Sequence, residues 1–91
     1  MSNFVGIEST IFVNPHTGEK DYGVRIFDNY SKDYSNTWEE AHVFENDGDI
    51  LRRCVYYHIA EDIFDYVFEN DVGVHINGTF YSSEEIKDML G

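Results

Sequence analysis

The chain has 91 residues, with 18 Asp and Glu against 6 Lys and Arg, for a formal charge of −12. That length supports one domain spanning residues 1–91 and burying roughly 60–65% of its unfolded surface, while a 42% hydrophobic and 16% aromatic content excludes a disordered acidic tail. The charge excludes direct binding to nucleic acid or to an anionic membrane, and it favours basic protein surfaces through long-range steering.

In chain order, residues 3–13 alternate Val5, Ile7, Ile11 and Val13 against Glu8 and Thr10, the period of a half-buried strand. Asn14-Pro15-His16-Thr17-Gly18 reads as a turn. Tyr22, Val24 and Ile26 then alternate with Gly23, Arg25 and Phe27, so the two segments are expected to pair as an antiparallel hairpin. Residues 28–37 show no sustained apolar period and read as a surface loop. Thr37 and Glu40 have capping-box spacing, and Trp38 to Phe44 reads as a short helical turn with a strand as the other reading.

Asn46-Asp47-Gly48-Asp49 breaks the chain and offers a cap to a helix starting there. From Asp49 to Glu69 the apolar residues Val55, Tyr56, Ile59, Ile63, Phe64, Tyr66 and Val67 fall on one helical arc, and His58, Glu61, Asp62, Asp65 and Glu69 on the other. This predicts one long helix that organises the fold and ends at Asp71-Val72-Gly73. Val74 to Ser82 reads as two short strands around Asn77-Gly78, a two-residue hairpin signal. Ser82 and Glu85 form a second capping box, opening a short helix from Ser83 to Leu90 with Ile86, Met89 and Leu90 inward. The expected fold is α+β: a small, mostly antiparallel sheet of two hairpins packed against one long helix, with a short C-terminal helix.

The acidic side of the long helix is the leading candidate site. Glu61, Asp65 and Glu69 recur about every 6 Å at a rise of about 1.5 Å per residue, a spacing comparable to phosphates along a nucleic-acid strand. Like charges at i and i+4 destabilise a helix by a few tenths of a kcal/mol each, so an uncompensated row has a cost that a function would explain. The expected protein-binding face is Glu61, Asp62, Asp65 and Glu69, extended by Glu39 and Glu40. Tyr30, Tyr34 and Trp38 are candidate interface aromatics, since Tyr and Trp anchor protein interfaces.

Other chemistries fit less well. His58, Glu61 and Asp62 offer nitrogen and oxygen ligands on one helix face, but their spacing to His16, His42 and His75 matches no metal signature. A calcium loop over Asp28 to Glu39 fails, because Tyr30 and Lys32 occupy ligand positions and Asp33 stands where the turn requires Gly. The pairs Glu39/Glu40 and Glu84/Glu85 are adjacent in sequence and point apart. No nucleophile elbow or phosphate-cradling loop is present, so the chain is expected to be no enzyme and to need no cofactor. Cys54 is the only cysteine, so no intrachain disulfide can form and a reducing compartment is expected. With no apolar stretch near the length of a membrane span and no leader pattern, the expected location is the cytoplasm.

In size, acidity and lack of catalytic residues the chain resembles the small acidic proteins with which phages inhibit host nucleic-acid enzymes, some of them DNA mimics. That compositional resemblance implies a carboxylate array occupying the nucleic-acid groove of a restriction, CRISPR, repair or transcription protein. The expected partner is therefore the basic surface of a nucleic-acid-binding host protein. A structural protein assembling as homodimers or larger homo-oligomers, through the hairpin edge at 74–81 and exposed aromatics, is the alternative, and a metal-binding protein the third reading.

Overall fold

The computed structural model describes residues 4–29, 32–38 and 46–91. Among these, five strands and three helices occur in the order β1 (Val5–Val13), β2 (Lys20–Asp28), β3 (Asp33–Trp38), α1 (Asp47–Tyr56), α2 (Glu61–Asn70), β4 (Val74–Ile76), β5 (Thr79–Tyr81) and α3 (Ser83–Leu90). The chain is α+β, and its strands form one mixed sheet in the order β3-β2-β1-β4-β5. Val5, Ile7, Val24, Ile26, Val74 and Ile76 of the sheet meet Leu51, Cys54, Ile63, Phe64, Val67 and Ile86 of the helices in a single core.

The β1–β2 hairpin forms with Val5 opposite Asp28 and Val13 opposite Lys20. Its turn is closed by Asn14, whose Oδ1 accepts from the His16 amide at 2.9 Å, and by Gly18 at a φ of 73°, a conformation that glycine adopts without strain. The expected burial of the whole apolar face holds for only half of its length. Val5 and Ile7 are buried, but Ile11 and Val13 are 53% and 58% exposed, because the helices cover only the proximal end of the hairpin.

Residues 33–38 are not the expected loop. They form an edge strand antiparallel to β2, with Tyr34 opposite Ile26, so the first two strands belong to a three-stranded meander and the sheet is more than two hairpins. An edge strand pairs on one side only and tolerates polar residues on both faces, which removes the alternation by which strands are recognised. On the open face of the sheet, Arg25 grips Asp33 through Nε at 3.0 Å and a terminal nitrogen at 2.7 Å. The Arg25 guanidinium also lies 4.6 Å from the centre of the Phe27 ring.

The expected single long helix is two ten-residue helices joined by an elbow. Asn46 caps the first as its sequence predicts, its Oδ1 accepting from the Asp49 amide at 2.9 Å. After Tyr56 the chain closes a Schellman-type turn, with the Ile59 amide donating to the Cys54 carbonyl at 2.9 Å and the His58 amide to that of Val55 at 3.2 Å. His58 and Ala60 take left-handed φ values of 56° and 53°. Since no glycine or proline marks the turn, helical periodicity runs through it unbroken. The reason for the break is packing: the buried part of the sheet is about three residues deep along its central strands, and a straight helix of roughly 24 residues would extend about 36 Å. The break inserts Ile59 into the core, to which both helices contribute buried residues.

A non-glycine residue in the left-handed region costs roughly 1–2 kcal/mol, and glycine there returns part of that gain as backbone entropy. His58→Gly is therefore expected to stabilise the domain by about 0.5–1 kcal/mol. Thermal unfolding would register this as a Tm rise of a few degrees, and an unchanged or lower Tm would contradict a left-handed elbow.

The C-terminal segment completes the sheet. β4 pairs in parallel with the beginning of β1, Ile76 beside Ile7, and in antiparallel fashion with β5. The intervening Asn77-Gly78 turn is stapled to β1: the Asn77 amide donates to the Ile7 carbonyl at 2.8 Å, and Asn77 Oδ1 accepts from the Ser9 amide at 3.0 Å. Ser82 and Glu85 complete the anticipated capping box of α3, which buries Ile86 fully and packs Met89 and Leu90 against the core. Cys54 is buried among these residues, and burial pushes its thiol up to about 12, so it stays protonated and unreactive at neutral pH.

Candidate functional site

The outer side of α2 carries the four acids expected there, all exposed, but they do not form one free carboxylate array. Asp62 is the hub of a tertiary cluster. Lys32, just before β3, pairs with Asp62 Oδ2 at 2.7 Å, and the Tyr34 hydroxyl donates to the same oxygen at 2.8 Å. Lys32 first and Tyr34 second hold the Asp62 carboxyl below the usual carboxylate range, while Asp62 raises both the Lys32 ammonium and the Tyr34 phenol. Asp62 thus ties the edge strand to α2.

Glu61 contacts His58 Nδ1 across the elbow. Among the described residues no group of three His, Cys, Asp or Glu side chains is placed to hold a metal ion.

Asp65 and Glu69 remain as exposed carboxylates with no ion-pair partner among the described residues. Successive turns bring them into line with Glu61 at about 6 Å spacing, and α2 has no basic residue in its last turn. Three of the other cations are paired elsewhere: Arg25 with Asp33 and Glu8, Arg52 with Asp49, and Lys87 with Asp71. Glu39, Glu40 and Tyr30 lie outside the described residues. The expected helical turn over Trp38 to Phe44 lies there too except for Trp38, which ends strand β3 in place of opening a helix.

Tyr34 is partly exposed, but its hydroxyl is committed to Asp62. Tyr56 and Tyr57 are not among the interface aromatics expected from the sequence. Both fall at the elbow, with Tyr56 76% and Tyr57 53% exposed, whereas a continuous helix would have placed Tyr56 on the buried arc. Their rings meet edge to face, centres 5.1 Å apart at 86°. The signal that would have found Tyr56 is the inward face of α1: Ile50, Leu51 and Cys54 define it, and at about 100° per residue Tyr56 falls on the opposite side.

A pocket of about 210 Å3 opens beside the first turn of α2, lined on its apolar side by Phe4, Val5, Ile63 and Tyr66 and on its polar side by Lys32 and Asp62. Asp28 and Asn29 complete its polar side, so the charged groups around it are one cation and two carboxylates. No described helix is long and apolar enough to cross a membrane. Compared with protein-family models, curated proteins and solved structures, the chain matches none.

Proposed function

We propose that this protein is a non-enzymatic binding protein that sets the acidic side of α2 against the basic surface of a nucleic-acid-binding protein and inhibits it, as phage-type DNA mimics of the anti-restriction or anti-CRISPR kind do. The observation that supports this reading is the row Glu61, Asp65 and Glu69, of which the last two have no ion-pair partner among the described residues, in a molecule of formal charge −12. The row costs helix stability through like-charge repulsion, and a cationic partner would remove that cost. Asp62 leaves the proposed face because of its internal pairing, while Glu39 and Glu40 extend the face on sequence grounds. The protein acts in the cytoplasm, where such targets reside.

The experiment is capture from a bacterial lysate at low salt, followed by elution with duplex DNA. A nucleic-acid enzyme released by DNA supports the proposal, and partners indifferent to both DNA and salt refute it. Self-association is the second reading, favoured by Phe80, which is 57% exposed on the short edge strand β5; light scattering on the purified protein distinguishes a dimer from a monomer.

A further inference from the structure

Tyr56 is the most exposed of the large apolar side chains among the described residues. It is held in a defined orientation by the edge-to-face contact with Tyr57, immediately before a turn that keeps two non-glycine residues, His58 and Ala60, in left-handed conformations. Backbone strain of this kind persists where the surrounding structure enforces it, and it concentrates at binding sites. A pair of tyrosines standing in solvent beside such a turn is a surface feature that the core does not require.

The chemistry around the pair selects its partner. On one side the Arg53 guanidinium lies 6.0 Å from the centre of the Tyr57 ring, so the chain itself already sets a guanidinium over one of these rings. On the other side His58, the residue that follows Tyr57 in the chain, contacts Glu61, the first carboxylate of the row that continues through Asp65 and Glu69. An aromatic face next to anionic oxygens is complementary to a planar cation, which stacks on the ring and donates to a carboxylate at once. The carboxylates repeat at about 6 Å along the helix, close to the roughly 6.8 Å between alternate side chains of an extended strand.

We infer that the Tyr56–Tyr57 pair and the adjoining acidic row of α2 receive an extended, arginine-rich segment of the partner, with one arginine on Tyr56 and the next ones on Glu61, Asp65 and Glu69. This rests on the proposed docking function and adds to it a preference for arginine over lysine. Charge alone does not distinguish the two. The ring does, because the weakly hydrated guanidinium stacks where an ammonium stays in water.

The test uses two fluorescein-labelled peptides with glycine at alternate positions and either arginine or lysine between, titrated with the intact protein at low ionic strength and followed by anisotropy. The arginine peptide is expected to bind about two- to fivefold more tightly. Since carboxylates also favour arginine to some degree, the deciding variant is Tyr56→Ala with Tyr57→Ala, in which that preference should disappear while salt-dependent binding persists. Tyr56→Phe with Tyr57→Phe should retain it, since the ring and not the hydroxyl carries the contact. Equal affinities in the native protein, or a preference that survives the alanine pair, would overturn the inference. If both peptides bind equally and Asp65→Lys with Glu69→Lys weakens both, the inference fails and the acidic docking surface survives. If neither peptide binds, both fall.

Discussion

Replacing Ile7 by alanine is expected to lower the unfolding free energy by about 3–4 kcal/mol, with a Tm drop of about 15–25 °C. Ile11→Ala, on the same face of the same strand, should change stability by less than about 0.5 kcal/mol. Ile7 is fully buried and sits where β1 meets β2 on one side and β4 on the other, opposite Ile26 and Ile76. Removing its side chain leaves a cavity under α1 and α2 that a rigid sheet cannot collapse. Ile11 is already half in water because the helices do not reach the distal hairpin. Chemical denaturation of the two variants checks both statements. Equal losses would mean that the apolar face of the hairpin is covered along its whole length.

Reversing Asp65 and Glu69 together to lysine should reduce affinity for a captured partner by tenfold or more at low ionic strength and flatten its salt dependence. Each reversal removes two negative units from the formal −12, and both side chains are exposed, so the melting temperature should hold or rise slightly as the like-charge row is relieved. Binding that survives the double reversal unchanged would remove α2 from the interface. Asp62 should behave in the opposite way. Its carboxyl is held low by Lys32 and Tyr34, so its contribution to stability is present above the ordinary carboxylate range and is lost as pH falls from that range through the lowered folded-state value. Asp62→Asn is expected to flatten the acid side of the stability curve with little effect on binding. The change should be small, because the Lys32–Asp62 pair is nearly half exposed on both partners.

Local devices were legible in the residues. Asn46 at the start of α1, the Ser82–Glu85 capping box and the Asn14 to Gly18 turn act through backbone groups within a few positions, so their meaning is contained in a short window. What the residues concealed depends on partners far along the chain. β3 lacks apolar alternation because it lies at an edge, and it exists only because β2 presents it with a ladder. The elbow at His58 and Ala60 has no breaker residue; it is imposed by a core too small for a straight helix. The same limit applies to the candidate site. The i, i+4 row on α2 came from spacing, but the diversion of Asp62 required Lys32 and Tyr34, and Tyr34 is 28 residues away.

The parallel seat of β4 beside β1 has a consequence for synthesis on the ribosome. The meander of β1, β2 and β3 is available once residue 38 has emerged, but the inner edge of β1 stays unpaired until Val74–Ile76 arrive. At translation rates of roughly 5–20 residues per second that interval lasts about 2–8 s. Throughout it the nascent chain presents an open strand edge next to uncovered Val5, Ile7, Val24 and Ile26. Hold-type chaperones should therefore engage this protein between the appearance of β3 and that of β4, and release it once Ile76 and Ile86 have closed the core.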